Sequence, residues 1–575
     1  MKILFEGMGY ESGKLSSVLP KNNFCKHQDT EFTTFVGYFY SREINEPVFI
    51  LPKVFVNDGE KFLGDCYYKD LYNLDPNRPR KYLGKRYDHF LFDLSIRVYR
   101  TIRKYEKRTT LTSVDYNTLP IVYNNNCHNK QSSLLELYTG IIDFYQRNKY
   151  IFTFTSKTSH SGKKIKWHRT IASEKPVIVD NTPIYILPVS SVKSINYEEE
   201  LIIILYSVLE YFKTQYGLKI NFEFNYPILK RHEFMQLLNG KGVRILKKIK
   251  HKYYRDVFLR LWDLLYAFFD LNKKINMSGA YEESLLCSDF QLVFEDMIDD
   301  LIGDKDLPED IRYFKDQKDG KVVDHLFQGK DILNDKEIFY IADSKYYKQG
   351  TAITGTPLEK QFTYAKNIIQ YSINALLEGK ERRNMRYRDN VTEGYNVTPN
   401  FFIQGVVMDK AAGQSSLRLK EQTWLKEIQF ENRLFDRDTL MVLTFEIDFM
   451  FVMSMYISEN RTRKEQFKLA AKTAFRRNFI NMLKSRYSFY AITFETMAHM
   501  KDFVRLCFKD LNGKIYRTDR SEFVVSGCQC LFLALEKSEK FKGENERLLG
   551  MLYDSNILDI YEVDLKDEMP SLINL

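Results

Sequence analysis

Apolar residues recur at two different periods along the 575-residue chain, and the switches between them divide it. Up to about residue 85 the pattern is strand-like, with Phe32 to Tyr40 and Pro47 to Val56 as apolar runs between polar turns. Helical spacing follows: Tyr87, Leu91, Leu94, Val98, Ile102 and Tyr105 recur at three- and four-residue steps, and Ser132 to Arg147 repeats the pattern. Pro176 to Val179 and Ile184 to Leu187 flank Asp180-Asn181-Thr182-Pro183, which predicts strand, turn, strand. Asn196 with Glu199 is a capping box that predicts a helix through Phe212, and Arg244 to Leu271 predicts one long helix.

Beyond residue 280 short strands alternate with helices. Asp289 to Ile302 has Val293, Phe294, Met297, Ile298, Leu301 and Ile302 at helical spacing. Lys321 to Phe327 and Lys336 to Lys345 predict strands joined through Gly329 to Asp335, a stretch of hairpin composition. A charged loop from Gly379 to Asn400 precedes Phe401 to Met408 and Thr439 to Tyr456, predicted as strands or buried helix. Lys464 to Tyr487 predicts a basic helix and residues 488–575 a small mixed domain.

The strand ending at Lys345 carries the chemistry. Side chains alternate along a strand, so Asp343 and Lys345 share a face. Antiparallel pairing with the preceding strand brings Asp324 beside Asp343, and Glu295 lies next to the apolar stripe of its helix. Mg²⁺ prefers oxygen ligands and keeps several waters, so Asp324 and Asp343, with Glu295 completing the shell, suffice for a site that also takes a phosphate. Lys345 can then orient a water or stabilise charge on the phosphate. The competing readings are a surface ion pair for Asp-x-Lys and, for Glu295, a solvent-facing carboxylate among Asp296, Asp299 and Asp300.

A net charge of +9, from 85 Lys+Arg and 76 Asp+Glu, excludes a protein that coats DNA by bulk charge. Cations are concentrated locally, at Lys247, Lys248, Lys250, Lys252 and Arg255 and again between Arg461 and Arg486. These segments suit phosphate contacts, the alternative being solvated helix faces. Seven scattered cysteines predict reduced thiols and a cytoplasmic protein. Met1 to Gly7 lacks the apolar core of a secretion signal, Leu201 to Phe212 is too short to span a bilayer, and Thr439 to Ile457 contains Glu446 and Asp448, so no membrane association is expected. Gly7 to Ser16 (GMGYESGKLS) imitates a phosphate-binding loop but has Leu15 where Ser or Thr is required, so no nucleotide site is expected.

The order of helix Glu295, strand Asp324 and Asp343-Ser344-Lys345 resembles the PD-(D/E)xK nucleases. Ile341 to Tyr347 (IADSKYY) is similar to the D-A-K-Y-Y signature of McrC-type restriction subunits, with Ser344 in place of Ala. Gln361 matches the Gln those proteins carry on the next helix, although it also suits an ordinary amphipathic helix. Phe35-Val36-Gly37, Leu51-Pro52-Lys53, Gly162 to Ile171, Phe430 to Leu440 and Phe449 to Val452 resemble the LlaJI branch, spreading the likeness over about three quarters of the chain.

The resemblance implies a multidomain α/β protein. Its nuclease core, a mixed sheet flanked by helices, spans 280–460, after a strand-then-helix partner-binding region at 1–230 and a basic helical linker at 231–279. A basic helix and small mixed domain occupy 461–575. It further implies Mg²⁺-dependent cleavage of double-stranded DNA, with Mn²⁺ able to substitute, beside a hexameric McrB-like AAA+ GTPase that binds the GTP. Two alternatives stay open: a self-sufficient restriction nuclease that reads DNA through its C-terminal residues, and a non-catalytic DNA-binding scaffold.

Overall fold

The computed structural model describes the chain except residues 1, 42–43, 45, 64–65, 74–89, 112–120, 126–133, 161–163, 217–219, 279–282, 305–322, 333–336, 354, 378–387, 409–415, 420–424, 429–431, 519–527, 555–558 and 566–575. The N-terminal sheet has five strands, β1 (Lys2–Phe5), β2 (Val36–Ser41), β3 (Glu46–Leu51), β4 (Ile121–Asn125) and β5 (Glu283–Cys287), in the order β1-β3-β2-β5-β4. Only β1 and β3 run parallel. Gly37 is required where β2 meets β5: at φ +145° an added Cβ would stand 2.0 Å from the Leu285 carbonyl oxygen. Because β5 belongs to this sheet, the boundary expected at residue 280 moves past Cys287.

The longer helices of this half are α1 (Phe90–Leu111), α2 (Leu134–Arg147), α3 (Glu200–Tyr216), α4 (Gly242–Ile249) and α5 (Asp256–Ser278). The single helix expected from Arg244 to Leu271 is broken. After a 3₁₀ turn at Lys250–Lys252, Tyr253 turns extended (φ −113°, ψ 130°). Its ring stacks on Phe258 with centroids 5.6 Å apart, and its hydroxyl donates to Glu199 Oε1 at 2.5 Å. Burying this one aromatic outweighs helical continuity, although the apolar period resumes beyond the break. The Asp180 turn also shifts: Val179 pairs with Thr182, so the second strand is Thr182–Ile184, and Asp180-Asn181 form a two-residue turn with φ of 46° and 60°.

A second mixed sheet carries the candidate chemistry. Its strands are β6 (His325–Lys330), β7 (Glu337–Lys345), β8 (Asn400–Val406), β9 (Leu417–Leu419), β10 (Leu425–Ile428) and β11 (Leu440–Asp448). They follow the order β6-β7-β8-β11-β9, with β10 also on β11; β7, β8 and β11 are parallel and the outer pairings antiparallel. The parallel β7 and β8 are connected by α7 (Thr356–Leu377), while α6 (Phe290–Ile302), α8 (Phe449–Ile457) and α9 (Arg461–Arg486) also pack on the sheet. Phe475 of α9 stacks on Phe401 with centroids 4.8 Å apart, and an added Cβ at Gly405 would lie 2.9 Å from the Phe294 ring of α6. Asp448 caps α8 by accepting from the Met450 amide at 3.2 Å, which is why the buried apolar run from Leu440 divides into strand and helix.

The C-terminal sheet, β12 (Tyr487–Phe494), β13 (Ile515–Thr518), β14 (Gln529–Glu536) and β15 (Asp559–Val563), is antiparallel in the order β13-β14-β12-β15. Its alternation separates two cores. Phe489, Ala491 and Phe532 join the main core, whereas Ile492, Leu531 and Leu533 face a second one with α10 (Met497–Leu511) and α11 (Lys542–Asp554). Among the described residues no helix is long and apolar enough to cross a membrane.

Candidate active site

β6 and β7 pair with His325 opposite Ala342, and the register sets Asp324, one residue before β6, across from Asp343. Residues 321 and 322 of the expected strand lie outside the described residues, and the strand begins after Asp324 rather than around it. The Asp324 Oδ2 accepts the Ser344 amide at 3.1 Å, and Lys345 Nζ lies 2.5 Å from Asp343 Oδ2. Lys345 also stands over the Phe402 ring of β8, 5.4 Å from its centroid. Asp343 is buried and Lys345 half-buried, so this pair does not lie on a solvated surface.

Burial pushes the Asp324 carboxyl well above the usual carboxylate range, and the neighbouring Asp343 and Glu295 charges push it further. Burial raises Glu295 too, with Asp343 adding to the effect while Gln291, His325 and Lys345 oppose it. The Glu295 Oε1 accepts from Gln291 at 2.9 Å. The helix thus brings Glu295 within electrostatic reach of the aspartates without tying it to them. Among the described residues no three His, Cys, Asp or Glu side chains are placed to hold a metal ion together, so Glu295 does not join the two aspartates as a direct third ligand. The open pair of facing aspartates nonetheless fits a hard divalent ion, which takes one or two carboxylates and retains its waters. Their mutual repulsion, opposed by one nearby lysine, is relieved by such a cation.

Behind the strand, the buried His325 joins two elements. Its Nε2 lies 2.5 Å from Ser344 Oγ and its Nδ1 3.4 Å from Asp299 Oδ1 of α6. Ser344 thereby secures the β7 end from the face opposite Asp343 and Lys345. Gln361 is buried on α7, donating to Asn400 Oδ1 at 2.5 Å and the Phe401 carbonyl at 3.3 Å, while its Oε1 has no hydrogen-bond partner. Tyr364, three residues on, faces the cluster: burial and then Asp324, Asp343 and Glu295 push its hydroxyl up to about 12. No motif points to His325 or Tyr364. Their signals in the sequence are a histidine inside an apolar strand and an aromatic at i+3 from Gln361.

The N-terminal half reaches the same strand end. Tyr346, next to Lys345 and fully buried, donates to Glu6 Oε2 at 2.5 Å and accepts the Lys53 amide at 3.2 Å. The Leu51-Pro52-Lys53 segment therefore docks on the residue that follows the candidate lysine.

Residues 79–400 match the family described as LlaJI restriction endonuclease. The chain belongs to that family. The match contains Glu295, Asp324, Asp343, Lys345 and Gln361, and makes this member of the LlaJI restriction endonuclease family a DNA hydrolase. No curated protein and no solved structure matches the chain.

The basic segments divide. On α9, Lys464 pairs with Asp300 at 2.6 Å, Lys468 and Lys472 each pair with Asp304 at 2.8 Å, and buried Arg476 bonds the Asp331 carbonyl. These four cations hold α9 against α6 and the end of β6, so they are neither phosphate contacts nor a solvated helix face. Around α4, Lys250 lies 4.2 Å from the Trp262 ring centroid, Lys247 lies 5.9 Å from that of Tyr266, and Lys252 pairs with Glu200 at 3.1 Å. Lys248 is exposed, and Arg255 stands over Phe258 at 5.6 Å. In the Gly7 to Ser16 segment the Leu15 and Ser16 amides donate to the chain's own Glu31, at 2.8 and 3.0 Å. A carboxylate of the protein thus occupies the place a phosphate would take.

Proposed function

We propose that the chain is the DNA-cleaving subunit of a restriction complex, hydrolysing phosphodiesters with a divalent metal beside a GTP-hydrolysing, McrB-like AAA+ hexamer. The observation that carries this is the buried Asp324/Asp343 pair facing across two strands with Lys345 bonded to one member. Asp324 and Asp343 would hold the ion, with Glu295 reaching it through water. A bound Mg²⁺ or Mn²⁺ would supply activation of water and neutralisation of charge developing on the phosphate oxygens. Lys345 holds Asp343 in place and presents its ammonium to the incoming water or the phosphate. Tyr364 lies within electrostatic reach of the carboxylates, and the His325–Ser344 bond fixes the strand carrying both motif residues.

Lys247, Lys248, Lys250, Lys252 and Arg255 serve as duplex phosphate contacts in this reading. The N-terminal half supplies the partner interface, supported by the Tyr346, Glu6 and Lys53 contact, which gives that half direct mechanical access to the site. The separate core of the C-terminal sheet favours a second reading, a nuclease that recognises its own DNA site through that module. One experiment distinguishes them: cleavage of plasmid DNA by the purified chain, alone and with the cognate AAA+ protein, GTP and Mg²⁺. Cutting that requires partner and GTP, and is abolished by EDTA, supports the first. Site-specific cutting by the chain alone supports the second, and full cutting in EDTA refutes a metal mechanism.

A further inference from the structure

A cavity lies away from the carboxylates, between the segment leaving α2 and the break between α4 and α5. Its volume is about 830 Å³, within the roughly 300–1,000 Å³ range of small-ligand sites. The floor is apolar and aromatic, with Ile151, Val257 and the stacked pair Tyr253 and Phe258. Arg147, Lys149, Lys252 and Arg255 stand around it, whereas Glu199, the carboxylate in the wall, is engaged by Tyr253 and Thr153. Among the described residues Arg147, Lys149 and Arg255 form no ion pair.

Three rings are out of place for a folded core. Tyr254 is 85% exposed, Tyr150 71% and Phe154 62%, and all three line this cavity. Tyr150 and Phe154 make T-shaped contacts with Phe224 and Phe152, yet most of either ring stays exposed. Unpaired cations beside exposed aromatic faces match a polyanion whose repeating units carry flat rings. In a duplex those rings are stacked on one another and only edges and phosphates are presented. We propose that this cavity binds a single-stranded segment of DNA, with bases on Tyr150 and Tyr254 and phosphates on Arg147 and Lys149, next to the Arg255 already assigned to the duplex. This rests on the reading of the chain as a DNA-cleaving protein and adds a place for strand that has been opened or displaced.

Fluorescence anisotropy of the full chain with labelled oligothymidylate, and with a duplex of equal length, tests it. Tyr150→Ala combined with Tyr254→Ala should weaken oligothymidylate binding about tenfold or more, since each stacked base is worth about 1–3 kcal/mol. The same variant should leave duplex affinity and Tm unchanged, because both rings are exposed. Arg147→Ala combined with Lys149→Ala should flatten the slope of log oligothymidylate affinity against log salt by about 0.7 for each phosphate no longer neutralised. Failure of the wild-type chain to bind oligothymidylate, or equal affinity in the ring variant, overturns the proposal. So does displacement of the oligonucleotide by polyglutamate as readily as by unlabelled oligothymidylate, which would assign the surface to an acidic polypeptide. Asp343→Ala should bind oligothymidylate like wild type, so anisotropy judges the cavity and cleavage separately judges the active site.

Discussion

Glu295 and Asp296 are neighbours on α6, yet they sit in opposite electrostatic worlds. One helical face turns Asp296 and Asp300 toward α1 and α9, where Arg108 bonds both, at 3.0 and 2.7 Å, and Lys464 reaches Asp300 at 2.6 Å. Burial alone would raise Asp300, but Lys464, Arg108 and Lys104 outweigh it and hold its carboxyl down to about 2. The adjacent face sends Glu295 and Asp299 toward β6 and β7, where Glu295, Asp324 and Asp343 share chiefly Lys345 and the carboxyls of Glu295 and Asp324 are pushed up. Both clusters are acidic and partly buried. The difference is whether the fold has already neutralised the charge, and a cluster left short of cations has capacity for an added one.

Removing the candidate chemistry should have the largest effect. Asp343→Ala or Lys345→Ala is expected to lower DNA cleavage on the order of 10³-fold or more, with circular dichroism and partner binding unchanged. Wild-type rates in both variants would reduce the unneutralised cluster to a structural one. The opposite change belongs to the neutralised cluster: Arg108→Ala should cost about 2 kcal/mol of stability, because it leaves Asp300, only 4% exposed, with fewer donors. Urea denaturation reads that loss, and cleavage per folded molecule should be preserved.

A further substitution makes the two clusters differ in sign. Asp324 has a folded pKa above its unfolded one, so the folded chain holds this proton more tightly. Stability from that group is present below the unfolded pKa and is lost as pH rises through the folded value. Asp324→Asn should therefore abolish cleavage yet stabilise the metal-free protein by about 0.5–2 kcal/mol at neutral pH. Its Tm in EDTA should fall less than that of the wild type between pH 5 and pH 8, because the unfolded aspartate pKa, about 3.9, lies below that window. A lower Tm at neutral pH would mean that the carboxylate is paired, not repelled. The smallest effect is expected at Tyr364→Phe, which keeps the ring and removes the hydroxyl facing the carboxylates. Cleavage should drop about tenfold or less, chiefly through positioning of the site, and an unchanged pH–rate profile and rate would confine Tyr364 to packing.

The motifs spread along the chain prove to be largely seams between its parts. Gly37 permits close approach of β2 and β5, Lys53 meets Tyr346, and Phe435 hydrogen-bonds through its amide to Gly513 at 2.8 Å beside Tyr516. Gly162 and Lys163 of another segment lie outside the described residues. Alternation alone placed Asp343 and Lys345 on one face, because strand geometry has a fixed period of two. It also made β6 and β7 a natural antiparallel pair, since the spacing between them suits a hairpin.

Local pattern had less to say wherever a distant partner decided the outcome. A single buried tyrosine, held by Glu199, splits the helix expected between Arg244 and Leu271. The lysines of α9 read as a solvated or DNA-facing stripe until Asp300 and Asp304 are brought against them. By itself the sequence determined the carriers of the candidate chemistry, Asp324, Asp343 and Lys345, because their spacing is a property of short-range strand geometry. Only the tertiary structure decided which charges remain unneutralised, since ion pairing and desolvation depend on residues that the chain brings together from far apart.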